Sequence, residues 1–224
     1  MLLSRMVTRL VSFRACLLAF LITFASMAKC EEVIDVALIT ALQGEVSRVT
    51  PQGRQPLQAF VKLKRGDLLA LGNARLQIVY FESGRQEVWQ GGGRLEVLGT
   101  ESKPFGLPNP EVKMLPSIMV KQIARTPALD SQGRAGVIRL RAIASPEAIA
   151  KLDASYRQLR MESVRGDLNP ELFLLSGLFE MRELERVEQV LRDLQQTRPG
   201  DTEVGLLVAL YQKALKNARE AHGS

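Results

Sequence analysis

The chain has 224 residues but only one histidine, His222, and two cysteines, Cys16 and Cys30. His222 lies close to the C-terminus, where chains usually fray, so a Ser/His/Asp or Cys/His arrangement has no histidine to build on. No His/Cys ligand set exists for zinc either. Aromatic residues make up 5% of the chain and Trp89 is the one tryptophan. No apolar run reaches the roughly 20 residues that a membrane-crossing helix needs. Lysine and arginine are spread along the chain with no cluster of the kind nucleic-acid binding requires. The net charge of +6 also counts Arg5, Arg9 and Arg14 near the start. These deficits argue against a histidine-based enzyme, a His/Cys zinc site and a nucleic-acid binder. No catalytic, metal or cofactor-binding residue is expected.

What is present begins with a basic stretch followed by the uncharged run "ACLLAFLITFASMA" at 15 to 28. A basic segment, an apolar segment of that length and small residues at Ser26 and Ala28 make the pattern of a secretory signal peptide cut after Ala28. Lys29 before Cys30 and Met27 three residues before it depart from the pattern of a lipid-modified cysteine. The membrane would be touched only through an uncut or lipidated leader. Removal of Cys16 with the leader leaves Cys30 as the one cysteine, a free thiol or an intermolecular bridge. Export to the periplasm is the expected location.

From Val33 to about Leu98 apolar residues recur with period two and are broken by glycine, as short antiparallel strands require. In "ARLQIVYF", Leu76, Ile78 and Tyr80 point one way while Arg75, Gln77, Val79 and Phe81 point the other. The second half is apolar on both faces, which fits a central strand. Ser83-Gly84 then turns the chain into "RQEVWQ", and the three glycines at 91 to 93 turn it again into "RLEVLG", giving a β-meander. "GEVSRV" from 44 and "LKRGDLLALGNARLQIVYFESGRQEVW" from 63 resemble the extracytoplasmic FecR-like domain, with Gly44, Gly66, Asp67, Gly72, Ala74 and Gly84 at the positions of its pattern. The resemblance implies an extracytoplasmic β-domain and admits a role in FecR-type signalling.

Residues 102 to 144 carry Pro104, Pro108, Pro110, Pro116 and Pro127. Each proline removes a backbone donor and fixes φ, so a linker is expected here, with "GVIRLRAI" able to add a strand. Beyond it the period becomes helical. Ser145-Pro146-Glu147, Asn169-Pro170-Glu171 and Asp201-Thr202-Glu203 each read as a helix start, and a short break is expected near Met181 and Arg182. The stretch 168 to 201 resembles a tetratricopeptide repeat (TPR), with Leu174 and Leu178 lining the first helix. Leu184, Val187, Leu191 and Leu194 line the second, and Pro199 closes the unit. Leu175 stands where that family has a small residue; Ser176 and Gly177 offer close packing instead. Plain helix packing with no peptide groove explains the same leucines.

The expected fold is therefore α+β, with an antiparallel sandwich or barrel-like β-domain and a separate all-α helical-hairpin domain. The boundaries run 1–28 for the signal peptide, 29–101 for the FecR-like domain, 102–144 for the linker and 145–224 for the TPR-like helices. Arg85, Trp89 and Arg94 are the candidate ligand surface, able to stack on sugar or peptide, although a core position for Trp89 explains it more simply. The acids Glu31, Glu32, Glu82, Glu87 and Glu96 would have to converge in a cleft for a carboxylate-dependent glycan hydrolase, and solvent-facing strand positions account for them more simply. "QGGGR" precedes a strand rather than a helix, so it is no phosphate cradle. The leading reading is a non-enzymatic scaffold of the cell envelope that binds other envelope proteins. Binding of cell-wall glycan is the alternative.

Overall fold

The computed structural model describes residues 34–127 and 145–220. The leader, Ala28, Cys30, Glu31, Glu32, the "GVIRLRAI" segment and His222 all lie outside the described residues. The architecture is α+β, with a curled antiparallel sheet first and helices after it.

Two long strands, β5 (Leu68–Tyr80) and β6 (Arg85–Val97), form the spine of an eight-stranded sheet. Each shares its outer edge between two shorter strands. Along β5 these are β2 (Val46–Thr50) and β1 (Asp35–Gln43). Along β6 they are β7 (Ser102–Phe105) and β8 (Glu111–Met114). The strands β3 (Gly53–Pro56) and β4 (Lys62–Lys64) add to β2 and β1. Arg48 on β2 reaches the Lys62 carbonyl at 3.2 Å and Asp67 at 3.0 Å, so the two flanks of the sheet curl toward each other into a half-barrel.

Alternation sorts β5 as its sequence predicts. Leu76, Ile78 and Tyr80 enter the core inside the curl with Ile39, Leu69, Trp89 and Leu95. Val79 faces outward into a second core that it shares with Leu38 and the helices. A strand buried on both faces reads as a continuous apolar run, and Ala37 to Thr40 on β1 are all buried for the same reason.

Gly84, at φ +70°, closes the β5–β6 hairpin as expected. The second turn is a correction. The chain does not reverse at Gly91 to Gly93, which lie inside β6 opposite the register shift between Leu71 and Ala74. The glycines instead let another part of the chain come close: a Cβ on Gly93 would stand 2.7 Å from the Leu107 side chain and 2.9 Å from the Phe105 carbonyl. Missing side chains serve a turn and a close approach equally well. Gly44, at φ +91°, packs against the same bend from the β1–β2 turn, where a Cβ would lie 2.7 Å from the Asn73 carbonyl.

The proline-rich stretch is also more regular than a linker. Over its described part it forms β7, β8 and the short helix α1 (Ser117–Ile123), which starts after Pro116 and buries Met119, Val120 and Ile123. The four longer helices are α2 (Pro146–Glu162), α3 (Asn169–Glu180), α4 (Leu184–Thr197) and α5 (Thr202–Glu220). Ser145 caps α2 through the Ala148 N–H, and Asp201 caps α5 through the N–H groups of Glu203 and Val204. Arg182, at φ +64°, makes the break between α3 and α4. Asn169 does not cap α3; it is buried and donates to Gln86 on β6 at 2.7 Å.

Every residue of α3 is buried, as befits a helix apolar all round. It lies against α1, α2 and α4. Gly177 lets α2 approach, a Cβ there falling 2.6 Å from Leu152, while Ser176 hydrogen-bonds Tyr211 and Thr126. A separate helical domain is not what these contacts describe. Leu38 and Val79 of the sheet share one core with Leu172, Leu178 and Leu207, and nothing among the described residues sets the helices apart as a TPR-like domain.

Candidate functional site

The residues singled out in sequence as a ligand surface do not form one. Trp89 is only 1% exposed, and its Nε1–H donates to Glu87 at 3.0 Å inside the half-barrel. Residues two apart on a strand share a face, so Glu87 supplies the buried indole with its partner. The same carboxylate accepts from Arg85 at 2.6 Å and from the Ser102 N–H at 3.2 Å. Tyr80 completes the cluster by sharing a 2.6 Å hydrogen bond with Ser102. Arg94 is exposed near the other end of β6, roughly 30 Å along the strand from Arg85 at its rise per residue. Of the acids considered in sequence, Glu87 is wholly buried in this cluster, and Glu82 and Glu96 line neither cleft described next.

Two clefts adjoin, one where the sheet meets the helices and one among the helices. The first, of about 770 Å³, has a floor of Leu42, Leu57 and Leu206, walled by the end of β1, by Arg75 and Gln77 of β5, and by the start of α5. The second, of about 840 Å³, opens between α2, α3 and α4 over Leu174, Val190 and Leu194. The loop between α2 and α3 divides them, and Arg165, Gly166 and Arg198 border both. Arg198 locks this wall by donating to the Gly166 carbonyl at 3.1 Å and to Asp201 at 2.9 Å.

The carboxylates of the clefts hold the structure together. In the first, Asp167 accepts the Asn169 N–H at 3.0 Å and Glu203 accepts the Leu42 N–H at 3.0 Å. Burial raises the Glu203 carboxyl above its ordinary value, against the pull of the Leu42 bond. Asp201 moves the other way. Burial is the largest single influence and pushes it up, but the Val204 and Glu203 amides and Arg198 together hold it below the usual carboxylate range. In the second cleft Glu171 accepts from Arg160 at 3.0 Å and Tyr156 at 3.2 Å. Burial first, and Glu171 second, push the Tyr156 hydroxyl up to about 12.

The guanidinium groups at the rim differ from these acids. Arg75 and Arg165 are exposed and form no ion pair among the described residues. Val164 and Met161, in the dividing loop and the last turn of α2, are 74% and 81% exposed. The arrangement can receive a carboxylate-bearing group beside apolar side chains. No group of three or more His, Cys, Asp or Glu residues that could hold a metal occurs among the described residues. None of the described helices is long and apolar enough to cross a membrane.

Sequence reasoning missed this site because its walls come from distant parts of the chain. The one local signal was Asp201-Thr202-Glu203, legible as a helix start but not as a wall. No protein-family model matches the chain, and comparison with curated proteins and with solved structures returns no match.

Proposed function

We propose that this chain is an exported, non-enzymatic binding protein of the cell envelope that acts as a scaffold through contacts with other envelope proteins. The FecR-like and TPR-like resemblances belong to this proposal as its account of origin. The observation that carries it is the pair of unpaired guanidinium groups, Arg75 and Arg165, beside a cleft of about 770 Å³ whose carboxylates are already engaged. Such a cleft suits a peptide segment carrying an acidic side chain or a terminal carboxylate next to an apolar residue. The glycan alternative rested on Trp89, and a buried indole offers no stacking face.

The test is recovery of cross-linked partners from intact cells through a C-terminal tag, comparing the natural chain with Arg75→Glu/Arg165→Glu. Both positions are exposed, so the thermal melt should not change. A consistent set of envelope proteins that disappears with the double variant supports the reading. The same set retained by the variant removes the cleft from it, and glycan fragments alone would move the function to wall binding.

A further inference from the structure

The outer edge of β8 is unpaired among the described residues. Among the described residues β8 bonds to β6 alone, and all four of its residues are exposed. Val112 is 45% exposed and Met114 61%. The Leu115 N–H donates to the Gly84 carbonyl at 2.9 Å, which fixes the phase of the ladder. Antiparallel bonding alternates along a strand. Lys113 and Glu111 therefore turn their backbone groups toward β6, and Val112 and Met114 turn theirs outward.

We infer that two copies of this chain associate through β8, antiparallel and with the two-fold axis at Val112. In that register Val112 of each copy exchanges both backbone hydrogen bonds with Val112 of the other. The Met114 N–H meets the carbonyl of Pro110, whose own missing N–H leaves the reciprocal bond unmade. Glu111 then stands opposite Lys113 twice, at the non-hydrogen-bonded positions where facing side chains come closest. Neither Glu111 nor Lys113 has an ion-pair partner among the described residues. Val112 and Met114 of both copies share the other face.

Charge complementarity selects the occupant. A lysine on an edge strand normally discourages pairing, but here it faces a glutamate of the same four-residue strand under two-fold symmetry. The remaining edges lack this match. On β7, Pro104 is without an N–H, β3 ends on Pro56 with no apolar residue exposed along it, and β4 carries Lys62 and Lys64 with no acid to face them.

Sedimentation velocity on the purified full chain, from low to high micromolar concentration, tests the inference. A concentration-dependent dimer is expected. Glu111→Lys and Lys113→Glu should each weaken it by about tenfold or more, since each sets like charges opposite one another. Mixing these two variants should restore association, because every facing pair is then of opposite sign. Val112→Pro, which removes an outward N–H, should also give a monomer with its far-ultraviolet spectrum retained. A monomer at all concentrations, a dimer indifferent to both charge variants, or failure of the mixture to associate overturns it; recovery of β8 bound to a different protein's strand, with no self-association, does so as well.

Discussion

The Glu203 Oε1, in the first turn of α5, accepts the backbone N–H of Leu42 on β1 at 3.0 Å, across 161 residues of sequence. This bond fastens the last helix to the sheet at the floor of the first cleft. Glu203→Ala should leave the Leu42 N–H without its acceptor and lower stability by about 1–2 kcal/mol. Glu203→Gln keeps an oxygen for the bond and removes the charge that burial disfavours, so it should match or exceed the natural chain at neutral pH. Urea unfolding followed by circular dichroism measures both.

Two neighbouring acids should give opposite pH dependence. The folded pKa of Glu203 is raised above its ordinary 4.5, so the folded state holds the proton more tightly than the unfolded state. Its contribution to stability is present at low pH and is lost as pH rises through the folded value. The advantage of Glu203→Gln over the natural chain should therefore grow as pH rises above the ordinary 4.5 and level off above the folded value. Asp201 is lowered from 3.8, so its contribution is present above that value and is lost as pH falls through the folded one. Asp201→Asn should cost stability at neutral pH and converge on the natural chain in acid. Urea midpoints between pH 3 and pH 7 separate the two, and parallel curves would contradict the Asp201 cap and the burial of Glu203 against Leu42.

Trp89 is the chain's one tryptophan and reports on its own burial. Its emission should be blue-shifted and protected from acrylamide in the native state, and cell-wall fragments should leave it unchanged. Glu87→Leu would strip the acceptor from Trp89, Arg85 and Ser102 together and leave a charge half-enclosed. A loss of about 3–5 kcal/mol is expected, the usual effect of removing one partner from a buried pair. Native emission at the wavelength of exposed indole would instead return Trp89 to the surface.

Residues 76 to 80 were legible in sequence because period-two alternation is a local property of the strand, and the helix starts at Ser145, Asn169 and Asp201 were legible for the same reason. Gly91 to Gly93 were misread because a turn and a crowded strand both call for the absence of Cβ. Only the arrival of Leu107 and Phe105 distinguishes them. Ser176 and Gly177 could be named as close-packing residues, but their partners, Tyr211, Thr126 and Leu152, are tertiary facts. The clefts were hidden altogether, because the first depends on how the α2–α3 loop and the start of α5 sit against the sheet and the second on how α2, α3 and α4 pack together.

The approach of α2 to α3 can be tested through Gly177 and Leu152. A Cβ on Gly177 would lie 2.6 and 2.8 Å from the two Leu152 methyl carbons, and Leu152 is 5% exposed. Alanine is favoured over glycine in a helix by about 1 kcal/mol, while overpacking a filled core costs about 1–3 kcal/mol. Because Leu152 is enclosed by the shared core and has little room to move, the crowding should win and Gly177→Ala should destabilise. Leu152→Ala alone should cost about 2–5 kcal/mol through the cavity it leaves. In that background the added methyl group enters empty space, so Gly177→Ala should become stabilising, and the two changes should couple by about 1–2 kcal/mol in a double-mutant cycle. Additive effects would mean that the two helices do not meet at this glycine, and the small residue would then need another explanation.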